Sequence, residues 1–470
     1  MDSRGYFIPA GIGFKKENTF FRNKYGEVEI EVCSANRQLV EECIRKIILA
    51  RENCLLRTSI KKIVQIIDKA SSNLSDEKYS LRKEAEDVLP VTTGLSPQML
   101  SLGMDALTTT FRKENMLNML YSELGDPKYL DGFRKSKAGE SKALGKELIV
   151  NVFGSGGVPG LQVMGIVNAL LMKSAVFSKP DSGEPVLPSI YARAIADVDP
   201  RLADAIALFP WKGGDPEFAD LEACVFSERK ENEAVVVFGS DETIRNVKKK
   251  VSPECAFIAY PPRTGLIMVA KEKLTKNNAK NLAERMAWDI CMYDQKACFS
   301  PQYVYLEEGG KVSPEEFAGI LSKEMDRMGE KFPVGELTDI AKTRINERRR
   351  TYELQEIIGS AKIFNPKGGL VIFERNRALE TPITYRTIHV MSVNILSEVL
   401  GLIKPFEKHV QTVGIEAGEE EFREFSDILS LRGDVSRITT PGNMYRFPPS
   451  AHHDGRKNFD GFIKWVDRIA

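Results

Sequence analysis

The spacing of apolar and polar residues predicts a helical first part of the chain. Residues 36–53, NRQLVEECIRKIILAREN, place their apolar side chains on one face of a helix, and helices are predicted from there to about residue 124. Residues 1–32 are predicted to form short strands and turns instead. A mainly helical segment therefore precedes the rest of the fold.

The pattern changes at ELIVNVF, residues 147–153, a run rich in β-branched residues that passes through the loop GSGGVPG into a helix-like stretch. Further strands, separated by helix-like segments, are predicted at residues 175–178 (AVFS), 223–226 (ACVF), 234–239 (AVVVFG) and 256–259 (AFIA). Strands that alternate with helices in this way predict a parallel sheet that is covered on both faces.

A second α/β region begins with LIMVA at residues 266–270 and a helix over about residues 276–292. A chain of 470 residues is long for one hydrophobic core, so more than one lobe is expected. The turn PPRTG places the boundary between the two regions near residues 262–266.

Charge and hydropathy exclude several classes of protein. Lys and Arg together number 66, as do Asp and Glu, and no strongly basic stretch indicates a nucleic-acid partner. The longest apolar runs, such as residues 163–172, are well short of the roughly 20 residues that a membrane-spanning helix needs. Residues 1–18 lack the apolar core and cleavage site of a secretory signal, so we expect a cytoplasmic protein with no membrane span.

Cysteine and histidine spacing gives no support for a metal site. The 7 cysteines contain no CxxC pair, and an odd, scattered set in a large chain is typical of reduced thiols. The 4 histidines show no HExxH or comparable ligand spacing, so no metal is predicted. His389, in the apolar strand RTIHVMSV, is expected to be a core residue.

Two strand ends offer candidate phosphate contacts. GSGGVPG, at residues 154–160, lies where a strand passes into a helix, and such a loop lets backbone N–H groups approach a phosphate. Its glycines are spaced one residue longer than the dinucleotide fingerprint, and a simple tight turn explains the loop equally well. Gly239 and Ser240 end another strand, before a helix that Asp241 is expected to cap, although a plain cap would look the same.

Ser178 and Lys179 stand at the end of the strand AVFS, where NAD-specific folds usually place Asp or Glu to hold the ribose 2′-hydroxyl. A cation and a hydroxyl instead suit a ribose that carries a 2′-phosphate. The pair therefore favours NADP over NAD. A surface lysine before a proline turn is the alternative.

Cys298 is the candidate nucleophile. It lies in DQKACFSPQYVYL, on a loop between a predicted helix and a predicted strand over residues 303–306, whereas Cys291 falls within the helix. Reactive thiols need exposure and surroundings that favour the thiolate, and a loop provides the exposure. Asp294 would disfavour a thiolate unless its side chain points away. From position alone, an inert cysteine remains the alternative.

These segments resemble the acyl-CoA (fatty-acid) reductases of bacterial luminescence operons, a branch of the aldehyde dehydrogenase superfamily. DQKACFSPQ is similar to the cysteine motif of that branch, and VFSKPDSGEPV and VVVFGSDETIRNV are similar to two cofactor segments of the superfamily. The C-terminal runs VQTVGIEAGEEEFREFSDILSLRGDVSRITTPGNM and HHDGRKNFDGFIKWVD also resemble the reductase branch. The resemblance covers about residues 145–470.

The resemblance implies an α/β, aldehyde-dehydrogenase-like fold with a Rossmann-like parallel-sheet cofactor domain and an α/β catalytic domain. It assigns the N-terminal helical segment and the NADP-binding domain to residues 1–265, and the catalytic cysteine domain to residues 266–440. Residues 441–470 are then a C-terminal segment at the interface of an expected homo-oligomer.

Residue by residue, the resemblance makes Cys298 the acyl-accepting nucleophile. Ser178 and Lys179 become contacts on the adenosine side of the cofactor, and Gly239 and Ser240 become pyrophosphate contacts. His452, His453 and Asp454 lie in the C-terminal motif, where a structural turn near the subunit interface is expected.

Two departures from the superfamily matter. Many members place Asn where this chain has Gly157, so the oxyanion hole is expected to use backbone N–H groups, including that of Cys298, or another side chain. Oxidative members also carry a Glu base where this chain reads Arg263-Thr264-Gly265. Without that base, water is not activated, and the acyl-enzyme is kept for reduction.

The expected activity is NADPH-dependent reduction of an activated acyl group to an aldehyde through an acyl-cysteine thioester. The donor is expected to be an acyl-CoA or an acylated carrier or synthetase protein. Two alternatives remain open, an oxidative aldehyde dehydrogenase and a non-catalytic subunit of an acyl-transfer complex.

Overall fold

The computed structural model describes residues 3–137, 139–154, 158–375, 381–433 and 435–469. The chain divides into two compact units. The first comprises residues 1–261, 448–451 and 456–470, and the second comprises residues 262–447 and 452–455. The C-terminal residues therefore contribute to both units.

The strands within the described ranges are, in chain order, β1 (Ser3–Arg4), β2 (Lys16–Asn23), β3 (Gly26–Cys33), β4 (Arg134–Ser136), β5 (Gly139–Gly145), β6 (Leu148–Phe153), β7 (Ala175–Lys179), β8 (Ile206–Leu208), β9 (Glu233–Phe238), β10 (Ala256–Tyr260), β11 (Thr264–Val269), β12 (Pro301–Glu307), β13 (Ala361–Phe364), β14 (Leu370–Arg375), β15 (Thr387–Val393), β16 (Val410–Glu416), β17 (Arg437–Thr439) and β18 (Ile463–Arg468).

The α-helices within the same ranges are α1 (Arg37–Asn53), α2 (Ile60–Leu74), α3 (Ser80–Thr93), α4 (Pro97–Thr110), α5 (Lys113–Leu124), α6 (Leu161–Leu171), α7 (Val186–Val198), α8 (Pro200–Ala203), α9 (Ala219–Glu222), α10 (Asp241–Lys248), α11 (Ala279–Cys291), α12 (Pro314–Lys331), α13 (Asp339–Ile357), α14 (Val399–Leu402) and α15 (Glu419–Ser430). None of them has an apolar stretch long enough to cross a bilayer.

The main sheet of the first unit has the strand order β10-β9-β6-β7-β8, and its neighbouring strands run parallel. Strands β6, β7 and β9 are buried along their whole length, as expected for parallel strands that are covered on both faces. Val150, Phe177 and Val235 belong to a core that also takes in the apolar face of α1. The parallel sheet that the sequence predicted is confirmed.

One predicted strand of this unit is wrong. Residues 223–226 form part of a wide helical turn, Ala223–Ser227, that continues α9. Cys224, Val225 and Phe226 are buried in the core, and a short buried apolar run looks alike in a strand and in a helical turn. The short strand β8, which the pattern did not predict, occupies the edge of the sheet beside β7.

Two smaller sheets also belong to the first unit. One has the order β1-β3-β2, and the other has the order β18-β5-β4 with antiparallel pairs. Strand β18 of the second sheet is the last strand in the described residues, and its Trp465 is 46% exposed.

The sheet of the second unit has the order β13-β14-β15-β12-β11-β16-β17, with parallel pairs except between β13 and β14. Leu266, Tyr305 and Val413 form its core together with Leu429 of α15. Gly265 lies opposite both Pro301 and Thr412, so β11, β12 and β16 begin at the same edge of the sheet.

Ile267 on β11 is fully buried, whereas Ile357 at the end of α13 is 80% exposed, so the two offer a matched pair of substitutions. We expect Ile267→Ala to lower the free energy of unfolding by about 2–5 kcal/mol because it leaves a cavity in the core. Ile357→Ala is expected to change it by less than about 0.5 kcal/mol. Urea unfolding followed by circular dichroism measures both, and equal effects would contradict this placement of β11.

Candidate active site

Cys298 lies in the turn between α11 and β12, at the junction that the sequence predicted. Its side chain is partly buried, whereas Cys291, the last residue of α11, is buried. Because β12 begins at Pro301, the thiol lies at the amino-terminal edge of the sheet of the second unit. Cys298 thus has the loop position that the sequence predicted and is more exposed than Cys291.

The chain just before Cys298 has an unusual backbone. Tyr293, Asp294 and Gln295 have φ angles of +50°, +51° and +63°. A left-handed conformation costs roughly 1–2 kcal/mol for each residue that has a Cβ atom. Three such residues in succession are stable only where the surrounding structure holds them.

A buried ion pair holds this stretch. Arg386 Nε donates to Asp294 Oδ1 at 2.9 Å, and the backbone N–H of Gly335 donates to Asp294 Oδ2 at 3.0 Å. Gln295 Nε2 donates to the carbonyls of Pro301 at 2.8 Å and Thr387 at 3.0 Å. The Asp294 carboxylate is therefore engaged by Arg386, and the negative charge that acts on Cys298 comes from another residue.

Gly265 allows the cysteine turn to pack against β11. A Cβ atom at this position would lie 2.5 Å from the carbonyl oxygen of Phe299 and 2.9 Å from Cε of Met444. The backbone N–H of Gly265 donates to the carbonyl of Ser300 at 3.0 Å. The glycine of the RTG segment thus permits a close approach that any other side chain would prevent.

Polar groups act on the Cys298 sulfur in opposite directions. Burial is the main reason that its pKa is raised to about 11, and the charge of Asp454 adds to the effect. Hydrogen bonds from the Gln411 side chain and from the backbone N–H groups of Cys298 and Phe299 lower the pKa, because they stabilise the thiolate. At neutral pH the thiol of this state is protonated.

Asp454, Gln411 and Arg263 form a cluster beside Cys298 that the sequence did not predict. Gln411 Nε2 donates to Asp454 Oδ1, and Arg263 Nε donates to Asp454 Oδ2 at 3.3 Å. Arg263 Nη1 also donates to the carbonyl of Lys408 at 2.5 Å. The HHDG segment thus brings a carboxylate to the candidate nucleophile.

His389 has the core position that the sequence suggested. It is buried on β15, its Nδ1 lies 2.9 Å from Glu374 Oε1, and Arg348 Nη1 lies 3.2 Å from its Nε2. Tyr352 also donates its hydroxyl hydrogen to Glu374, at 3.0 Å. The imidazole is therefore satisfied by its neighbours.

The first unit gathers the candidate cofactor residues at one edge. Strands β6, β7 and β9 are parallel neighbours, so their carboxyl ends at Phe153, Lys179 and Phe238 lie side by side. The chain runs from β6 outward through β7 to β8 and returns to β9 on the other side of β6. Such a change of direction is where open α/β sheets bind ligands.

Glycines follow the carboxyl ends of the neighbouring strands β6 and β9. A Cβ atom on Gly154 would lie 3.2 Å from Cα of Gly239, so the loops after β6 and β9 touch through glycine backbones. Ser155, Gly156 and Gly157 lie outside the described residues. The expectation that backbone N–H groups form the oxyanion hole in place of a side chain at Gly157 therefore stays a prediction.

Lys179 is a buried cation with few partners. It is 7% exposed, and its Nζ lies 3.4 Å from the carbonyl of Pro180 and 5.5 Å from the ring centre of Trp211. Within the described ranges no carboxylate forms an ion pair with it, although the charges of Asp181 and Glu222 act on it from farther away. Burial lowers its pKa, so an anion brought to this ammonium group would stabilise its charged form.

The other cofactor candidates already have partners in the protein. Ser178 is buried, and its Oγ accepts from Asn151 Nδ2 at 3.4 Å. Ser240, rather than the expected Asp241, caps α10 through a hydrogen bond from the Thr243 N–H to its Oγ at 3.1 Å. Gly239 donates its N–H to the Tyr260 carbonyl at 3.4 Å.

Glu41, Cys224 and Glu228 are a group of possible metal ligands in the part of the chain that the structure describes. Arg37 forms ion pairs with both carboxylates, at 2.8 Å to Glu41 and 2.6 Å to Glu228. The guanidinium group thus compensates their charge.

Comparison with known proteins matches residues 55–465 to the model of the acyl-CoA reductase (LuxC) family. The long-chain acyl-protein thioester reductase of Aliivibrio fischeri is 23% identical over 455 residues, which cover 94% of this chain and 90% of that protein. The protein of the same name from Vibrio harveyi is 22% identical over 474 residues, with 99% and 93% covered.

Solved structures show the same architecture. Indole-3-acetaldehyde dehydrogenase AldA of P. syringae superposes with a TM-score of 0.76 at 11% identity, over 100% of this chain and 97% of that one. A salicylaldehyde dehydrogenase from Pseudomonas putida G7 gives a TM-score of 0.74 at 13% identity, over 99% and 98%. These likenesses confirm the α/β, aldehyde-dehydrogenase-like fold. The chain belongs to the acyl-CoA reductase (LuxC) family.

Proposed function

We propose that this chain reduces an activated acyl group to an aldehyde with NADPH, and that Cys298 carries the acyl group as a thioester. Membership of the family establishes the reduction of acyl groups. The observation that carries the role of Cys298 is its position on the turn between α11 and β12, directly after the stretch that the buried pair of Asp294 and Arg386 holds in place.

In this mechanism the Cys298 thiolate attacks the acyl carbonyl carbon. A carbon–sulfur bond forms, and the bond to the carrier breaks so that the carrier leaves with the electron pair and takes up a proton. NADPH, when bound, would supply the hydride that converts the thioester to the oxyanion of a thiohemiacetal. Cys298 then departs as a thiolate when the thiohemiacetal collapses to the aldehyde.

The residues around Cys298 fit reduction better than hydrolysis. Arg263, in the segment that replaces the Glu base of oxidative enzymes, is a permanent cation and cannot take a proton from water. Both oxygens of the neighbouring Asp454 accept hydrogen bonds, from Gln411 and from Arg263. Because this segment carries the cation Arg263 in place of a carboxylate base, the oxidative alternative gains no support.

Family and fold imply a nicotinamide cofactor. We infer NADP as the cofactor because Lys179 is a buried ammonium group without an ion-pair partner in the described ranges. A 2′-phosphate would give it the charge-assisted hydrogen bonds that the protein does not provide. Gly239 and Ser240 border the glycine-lined edge where a pyrophosphate would lie, and residues 1–265 are proposed as the cofactor domain.

The acyl donor is proposed to be an acylated protein or an acyl-CoA. The relatives from Aliivibrio fischeri and Vibrio harveyi are named for long-chain acyl-protein thioesters, which favours a carrier or synthetase protein as donor. Assembly into a homo-oligomer, with residues 441–470 at the interface, belongs to the same proposal.

Cys298→Ala is expected to lower the rate of NADPH oxidation by at least about 10³-fold, because the variant forms no acyl-enzyme. Binding of NADPH is expected to persist. Absorbance of NADPH with a panel of acyl-CoA thioesters and an acylated protein measures the rate, and mass spectrometry measures the acyl adduct. A variant that kept substantial turnover would refute the mechanism.

Alkylation of Cys298 by iodoacetamide is expected to accelerate about tenfold per pH unit from pH 7 to pH 10, because the thiolate fraction grows at this rate below a pKa of about 11. Mass spectrometry of the peptide that contains Cys298 follows the reaction, and Cys298→Ala is the blank. A rate that levelled off below pH 9 would show a pKa at or below the ordinary value.

Lys179→Met is expected to raise the KM for NADPH about 10–100-fold, since a hydrogen bond to a charged group contributes roughly 1.5–3 kcal/mol. The KM for NADH is expected to change little, because NADH has no 2′-phosphate. Lys212→Met, at a lysine whose side chain is 81% exposed, is the matched control and should affect neither constant. Equal losses with both cofactors would contradict a 2′-phosphate contact.

A further inference from the structure

Gln411 has a fixed amide orientation beside Cys298. It is 3% exposed near the start of β16, and its Oε1 accepts from the Thr412 hydroxyl at 3.3 Å. Its Nε2 donates to Asp454 Oδ1. Because the oxygen and the nitrogen each have a partner, the NH₂ group faces Asp454, and the Gln411 side chain also acts as a hydrogen-bond donor that lowers the pKa of the Cys298 thiol. An amide NH₂ has two hydrogens, so one remains for the sulfur after Asp454 has accepted the other.

The backbone conformation and the burial of Asp454 both cost free energy of folding. Its φ angle is +50°, its side chain is 6% exposed, and the Arg263 side chain that pairs with it is 9% exposed. Its negative charge also disfavours the Cys298 thiolate on which the reaction depends. A carboxylate that opposes ionisation of the nucleophile must help in another way, and the contact that it makes towards the sulfur is the one with Gln411.

We infer that Gln411 is a further catalytic residue, whose side-chain N–H stabilises the Cys298 thiolate, and that Asp454 and Arg263 are positioning residues that orient it. This inference rests on the proposed role of Cys298 as the nucleophile. When the thiol ionises and releases its proton to solvent, the N–H meets the charge on sulfur. The same N–H stabilises the negative charge that returns to the sulfur when Cys298 departs from the thiohemiacetal.

The other charged groups near Cys298 do not perform this task. Arg437 interacts with Cys298 electrostatically, but its guanidinium group donates to the carbonyls of Met444 at 2.7 Å and Asn443 at 2.9 Å. Burial lowers the pKa of His453, which disfavours the charged form of its imidazole. Gln411 is therefore the neutral side-chain donor among the groups that act on the sulfur.

The test combines two variants with two readouts, the pH dependence of Cys298 alkylation by iodoacetamide and the kcat of NADPH oxidation with an acyl-CoA. Gln411→Met keeps the length of the side chain and removes the donor. We expect its alkylation at pH 8 to slow about tenfold and its kcat to fall roughly 10²–10³-fold, as on loss of one preorganised donor. The KM for NADPH is expected to stay unchanged.

Asp454→Asn is expected to move the two readouts in opposite directions. Removal of the negative charge lowers the thiol pKa, so alkylation at pH 8 accelerates. The kcat nevertheless falls about tenfold, because the amide of Gln411 loses its charged anchor. A purely structural role for Asp454 would not produce faster alkylation together with slower turnover.

His452→Ala is the matched control, because His452 is exposed in the same segment, and it should leave both readouts unchanged. Gln411→Met with wild-type alkylation and kcat would overturn the inference. If that variant does not fold, as judged by NADPH binding and thermal unfolding, Asp454→Asn decides, and an unchanged kcat there would overturn it. Failure of wild-type Cys298 to take up any acyl group would instead refute the proposed function.

Discussion

The ion pair between Asp294 and Arg386 is the constraint on which the candidate active site depends. Both side chains are almost fully buried, and removing two charges from water costs several kcal/mol per ion unless their mutual contact compensates. The pair holds three successive residues in a left-handed conformation shortly before Cys298, the proposed nucleophile. Without that hold, the turn would relax towards ordinary backbone angles, and the direction of the Cys298 side chain would be lost. Buried charge is thus used here for precision of position rather than for stability.

Both units place their candidate residues at sheet edges, but at opposite ends of the strands. In the first unit Gly154, Lys179 and Gly239 lie at the carboxyl ends of parallel strands, at the point where the chain changes direction across the sheet. In the second unit Cys298 and Gln411 lie where β12 and β16 begin. A strand start is rigid because its register is set by two neighbours, which suits a nucleophile that must keep one orientation.

Much of this arrangement follows from local sequence. Continuous apolar runs indicate buried parallel strands, and the loop position of Cys298 distinguishes it from helical Cys291. Residues 223–226 could not be assigned correctly, since four apolar residues carry no period. Gln411 and Asp454 lie far from Cys298 along the chain, and neither the positive φ of Asp454 nor its pairing with Arg263 leaves a local signal. Side-chain contacts between residues far apart along the chain are what a single sequence conceals.

The raised pKa of Cys298 also affects how readily its thiol is oxidised. Peroxides oxidise thiolates far faster than thiols, and the first product, a sulfenic acid, proceeds to irreversible sulfinic and sulfonic acids. A thiol that stays largely protonated at neutral pH, as the raised pKa of Cys298 implies, is oxidised more slowly. The carboxylate of Asp454 raises the pKa of the Cys298 thiol, and a smaller thiolate fraction means slower oxidation by peroxide.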